Sequence, residues 1–156
     1  KTLKCKVTVT KKQAAKKNAK TAGKKNTTSD ISLQKKVISI VNKNRKKKGL
    51  EALTMDEKLM KAAQDRAKEL TKSFSHTRPN GTSCFTIFEK YKITPMASGE
   101  NIAAGQRSAA DVMDSWMNSQ GHKENIMNNR FKKIGVGLVI VPNDMYSYYW
   151  VQMFTE

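Results

Sequence analysis

His76 and His122 are the only two imidazoles in this chain. Each follows small polar residues beside a helix boundary, in Phe74-Ser-His-Thr-Arg-Pro-Asn-Gly81 and in Ser119-Gln-Gly-His122. A third segment, Gly99-Glu-Asn-Ile-Ala103, sets a carboxylate, Glu100, among small and apolar neighbours. Two imidazoles and a carboxylate suit two kinds of chemistry. They can hold zinc or another divalent cation with one coordination position open, or they can transfer protons as an acid–base pair. The residues alone leave that choice open. No His-Glu-x-x-His helix supports a metalloprotease and no Gly-x-Ser-x-Gly elbow supports a serine hydrolase. Ser119, three residues before His122, reads as a helix N-cap with no chemistry of its own. Gln152 reaches either a cleft floor or a neighbouring loop. Trp116, Tyr149 and Trp150 read as core before they read as the lining of a ligand groove, Asn101 as a residue that satisfies backbone groups, and Arg78-Pro-Asn-Gly81 as a turn first and a cleft rim second.

The elements that must position these groups follow from periodicity. Leu3, Cys5, Val7 and Val9 alternate with polar residues, the period of a half-buried strand. This strand resembles the last strand of the Ig-like repeats that end many bacterial surface proteins, so residues 1–12 are expected to be the remnant of an upstream region. Residues 13–29 hold no aromatic and no large aliphatic side chain and read as a basic linker. From Ser29-Asp30 a helix is predicted through Leu33, Val37, Ile40 and Val41, with Lys43 to Lys48 at its end, where the helix dipole favours cations. Thr54 and Glu57 have the spacing of a capping box, opening a second helix whose stripe is Leu59, Ala62, Ala63, Ala67 and Leu70. A short helix over 83–91, a fourth capped by Ser108 and a fifth from Ser119 come next. Strands over 133–141 and 146–154 close the chain around Pro142-Asn-Asp144. Helices first and a hairpin last point to an α+β layered domain.

Charge sharpens the partition. The chain has 156 residues, 30 Lys and Arg against 13 Asp and Glu, and a net charge of +17. Residues 1–48 hold 17 of the cations and one acid, Asp30, leaving 13 cations and 12 acids for the rest. A near-neutral domain behind a basic front, with no interleaved aromatics, argues against nucleic acid as a partner. It suits a tether toward anionic wall polymers. The longest apolar run, 134–141, is too short to cross a bilayer. The first residue is not Met, and a removed signal peptide is expected. Cys5 and Cys84 cannot build a disulfide framework. One long-range bridge between them stays open, but two separate thiols are expected, with Cys84 in the core.

In order and spacing, the His76 segment, Gly99-Glu-Asn, Trp116 to Ile126 and Tyr148-Tyr-Trp-Val-Gln-Met-Phe154 together resemble the CAP superfamily, in its bacterial SCP-like branch. The resemblance runs from about Ile31 to Phe154 and includes Val41-Asn42 with Arg45 on the first helix, and Phe131 with Ile134-Gly-Val-Gly137. It implies a three-layer α-β-α sandwich with an antiparallel central sheet over 30–156, usually secreted. It also implies a ligand cleft drawn from His76, Glu100, Ser119, His122 and Gln152. His76 and His122 would be the metal pair, for Zn2+ or another divalent cation. The second cleft Glu of eukaryotic relatives has no counterpart here. The expected function is a bacterial extracellular binding module with an unknown protein, lipid or cell-wall ligand. The alternatives are a protease-like hydrolase using Glu100 and the two histidines, and a lipid or sterol carrier lined by Met96, Met113, Met117 and Trp116.

Overall fold

The computed structural model describes the backbone of residues 3–9 and the whole of residues 27–156. In chain order come β1 (Leu3–Val9), α1 (Thr28–Lys47), β2 (Thr54–Met55) and α2 (Glu57–Leu70). A 3-10 turn (Cys84–Thr86) runs into α3 (Ile87–Lys90), followed by β3 (Ser98–Ala104), α4 (Ala109–Met117), α5 (Gln120–Ile126), β4 (Lys133–Ile140) and β5 (Tyr148–Thr155). The strand expected near the start is present as β1. The expected linker lies outside the described residues as far as 26. Its last residues belong to α1, which starts earlier than expected because Thr27 and Asp30 close a capping box ahead of Ser29.

One sheet takes the order β1-β3-β5-β4-β2. Its centre is antiparallel, with Gly99 opposite Phe154 and Gly135 opposite Met153. Each edge adds a parallel strand: β1 beside β3 and β2 beside β4. Thr54 therefore belongs to an edge strand, and the capping box predicted for it with Glu57 is not formed. Asp56 caps α2 instead, its side chain accepting from the Leu59 amide. The rest of the α2 prediction holds: Leu59, Ala62, Ala63, Ala67 and Leu70 are all buried. Ser108 caps α4 as expected, accepting from the Asp111 amide.

Helices cover both faces, giving the three-layer sandwich. On one face α1, α4 and α5 bury Val37, Val41, Val112, Trp116 and Ile126 against Ala103, Val136, Leu138, Trp150 and Phe154. On the other, α2 and α3 bury Leu59, Ala63, Leu70 and Phe88 against Ile102, Val151 and Met153. Residues alternate between the faces along each strand. Trp116, Tyr149 and Trp150 are core residues as predicted. Arg45, near the end of α1, is not a solvated cation like its lysine neighbours. It is buried, and its guanidinium donates to the carbonyls of Glu51, Ile126 and Asn128, tying the end of α1 to the end of α5.

Candidate functional site

Alternation along β3 decides the site. Glu100 and Asn101 are neighbours in sequence, so one must face α2 and the other α5. Glu100 takes the α2 face, where it meets Arg66 with both side chains fully buried. Arg66 Nε donates to Glu100 Oε2 at 2.9 Å and Nη2 to Oε1 at 3.3 Å. Two further Arg66 bonds reach Glu69 Oε2 at 2.6 Å and the Ser75 carbonyl at 2.9 Å. Glu69 in turn accepts from Arg78 Nη2 at 2.8 Å, and Arg78 Nη1 donates to Thr86 Oγ1 at 2.9 Å. Burial pushes the Arg66 guanidinium down, but Glu100 and Glu69 outweigh it and the net shift is upward. Burial alone would raise Glu69. Its bonds from Arg78 and Arg66 hold it below the ordinary carboxylate range.

His76 joins this chain of charges. Its Nδ1 lies 2.8 Å from Glu100 Oε1. The His76 side chain is 17% exposed, although Nε2 itself is covered. The loop that carries it folds back on itself: the Cys84 amide donates to the His76 carbonyl at 2.9 Å, and Thr77 bridges Ser83. This brings the buried Cys84 beside the pair. One ligand-type atom each of His76, Cys84 and Glu100 lies within 4.8 Å of the others.

His122 stands in the helix layer on the opposite face. Its Nδ1 lies 2.8 Å from Ser119 Oγ, so Ser119 holds the imidazole and makes no side-chain N-cap bond. Asn101 donates to the His122 carbonyl at 3.1 Å and to Gln152 Oε1 at 3.0 Å. Asn125 donates to Asn101 Oδ1 at 2.8 Å and to the Glu100 carbonyl at 3.3 Å. Asn101, His122, Asn125 and Gln152 are all fully buried. They form a polar seam that docks α5 onto β3, and Asn101 satisfies the backbone as predicted. The structure thus brings His76 and Glu100 together and groups His122, Ser119 and Gln152 elsewhere. Among the described residues, hydrogen bonds join His76 to Glu100 and His122 to Ser119 and Asn101, and none of these joins the two imidazoles.

Arg66 and Glu69 escape the sequence reading, Arg78 enters it only as a turn residue, and Cys84 only as the core residue that it is. Arg66 carried a usable signal, because it lies on the same helical stripe as Ala62, Ala63 and Leu70. A cation on an apolar stripe needs a buried partner.

The implied metal can be tested against these donors. His76 and His122 belong to opposite layers and do not form a pair. The tighter group of His76, Cys84 and Glu100 has donor types that zinc accepts. Both Glu100 oxygens, however, already serve Arg66, and Oε1 also faces His76. A cation placed there would sit against a buried guanidinium. The residues present fit an ion-paired carboxylate and do not fit a metal centre.

Known proteins share this architecture. The sequence model of the CAP family, the cysteine-rich secretory protein family, matches residues 38–154. YkwD of Bacillus subtilis is 39% identical over 126 residues, covering 76% of this chain and 49% of that protein. The chain therefore spans about half the length of that curated relative. An extracellular protein of Bacillus anthracis containing an SCP domain superposes with a TM-score of 0.73 at 25% identity, over 81% of this chain and 41% of that one. An outer surface protein of Borrelia burgdorferi gives a TM-score of 0.72 at 27% identity, over 84% of this chain and 95% of that one.

Proposed function

The chain belongs to the CAP family of cysteine-rich secretory proteins, and on that premise we propose that it is an extracellular binding module whose contact surface is the loop 74–83. The observation that supports this is the division between buried and exposed groups. Glu100 and Arg66 are sealed and saturated with partners, while Thr77, Asn80, Thr82 and Ser83 of the loop above them are exposed. The relay Glu100–Arg66–Glu69–Arg78, with His76, acts as the mount of that loop. It holds the loop at Ser75, His76 and Arg78. A mount held by charged hydrogen bonds keeps the loop in one shape, which lowers the entropic cost of binding.

The relatives described as extracellular or outer-surface proteins support the location. Among the described residues, no helix is long and apolar enough to cross a membrane. The hydrolase alternative draws less support. It needs the Glu100 carboxylate or His76 Nε2 to meet a substrate water, and both are covered. Lipid carriage loses Trp116 and Met113, which are core residues, and keeps Met96 as an exposed one.

The test compares the wild-type chain with a Thr77→Ala, Asn80→Ala, Thr82→Ala variant on three immobilised probes: bacterial sacculi, lipid vesicles and a peptide library. One probe is expected to retain the wild type and to lose the variant by about tenfold or more, the loss of about 1.4 kcal/mol of contact energy. Equal retention of both proteins on every probe would reject the loop as the contact surface. Turnover of the peptide library that disappears in Glu100→Gln would promote the hydrolase.

A further inference from the structure

The backbone register of β1 has a consequence independent of what the loop binds. β1 runs parallel to β3 with Leu3 opposite Ser98 and Val9 opposite Ala104, which sets Cys5 opposite Glu100. Register partners in neighbouring strands share a face of the sheet, about 4.8 Å apart. Position 100 belongs to the α2 face. Cys84 is buried on that face, with its Sγ within 4.8 Å of a Glu100 carboxylate oxygen and of a His76 ring nitrogen. The chain has two cysteines. The fold thus brings one cysteine's backbone and the other's sulfur to the same residue of β3.

We propose that Cys5 and Cys84 form a disulfide that fastens β1 to the domain beside the His76–Glu100 pair. The two thiols lose two protons and two electrons as the S–S bond forms. A small-molecule disulfide such as oxidised glutathione accepts both by exchange and departs as two thiols. The bond suits its place. Among the described residues β1 pairs with one strand only, at the sheet edge, and ordering such a strand costs backbone entropy. A covalent link across a long stretch of sequence removes much of that entropy from the unfolded chain. Extracellular relatives fit the same chemistry, because disulfides persist in oxidising surroundings. The proposal departs from the sequence expectation of two separate thiols, since the pairing of β1 with β3 is a tertiary fact that two spaced cysteines do not announce.

The experiment equilibrates the purified full chain with a glutathione redox buffer, quenches it with N-ethylmaleimide in denaturant and measures intact mass. The expected product is lighter than the reduced chain by two hydrogens and carries no maleimide. Its proteolytic digest contains a Cys5–Cys84 peptide pair that dithiothreitol separates. Reduction lowers the denaturant midpoint of the wild type and leaves that of Cys5→Ser unchanged. Two maleimides per chain, glutathione adducts, or cross-linked dimers in place of the internal link would overturn the proposal.

Discussion

Glu100 is a countercharge before it is a reagent. Its carboxylate faces a guanidinium at 2.9 Å with neither side chain exposed. Taking both charges out of water is expensive, and the pairing offsets that cost only while both members are present. Glu100→Gln removes the buried countercharge of Arg66, leaving it Glu69 and the Ser75 carbonyl, and puts one acceptor oxygen where Arg66 and His76 shared two. The variant is expected to lose about 3–5 kcal/mol of stability, read from the urea midpoint. A loss below about 1 kcal/mol would mean that the pair behaves like a surface bridge. The same charge argument governs metal. Zinc added to the reduced chain is expected to leave the thermal midpoint unchanged, because Arg66 already holds the carboxylate. A rise that saturates at one zinc per chain and vanishes in His76→Ala would reinstate a centre at His76, Cys84 and Glu100.

α2 lies close enough to the sheet that two positions on β4 tolerate no side chain. A Cβ on Gly137 would collide with the backbone carbonyl of Ala63, and one on Gly135 with that of Leu59. Ala62, Ala63 and Ala67 supply the matching small surface on the helix. Gly137→Ala must push α2 outward and with it Arg66 and the relay. Overpacking of this kind costs about 1–3 kcal/mol, and chemical denaturation should find a loss in that range. An unchanged midpoint would mean that the helix shifts freely. Much of this element level was legible in the sequence, because apolar stripes and turn residues act locally. The stripe of α2, the Ser108 cap and the closing hairpin are all of that kind. What was not legible depends on the register between distant segments. The sequence offers Thr54 a plausible cap, but pairing with Lys133 draws it into a strand. Gly99-Glu-Asn reads as one motif, yet the pleat sends Glu100 and Asn101 to different layers. His122 therefore serves a docking seam and His76 a charged relay. Two histidines in a list cannot reveal which side of a sheet each one takes.

At the scale of the whole molecule, the asymmetry of charge outweighs any single site. Residues 1–48 hold 17 cations against one acid, whereas the remainder holds 13 against 12. A surface-located binding module with such a front would be held near anionic wall polymers by long-range attraction, leaving the loop 74–83 to supply recognition. The two contributions separate by ionic strength. Screening length falls from about 10 Å at 0.1 M salt to about 3 Å at 1 M, so the contribution of the lysine charges should fade over that range while a shaped contact persists. Retention on sacculi rich in anionic polymer is expected to drop steeply between those salt concentrations. Replacing Lys11, Lys12, Lys16 and Lys17 by Gln should reproduce most of that drop at low salt, without moving the denaturation midpoint. The loop variant should show the opposite behaviour, with weaker retention at both salt concentrations. If retention of the wild type is indifferent to salt, or if the lysine variant binds as well as the parent at 0.1 M, attachment does not run through the basic front. The near-neutral domain would then carry the whole interaction by itself.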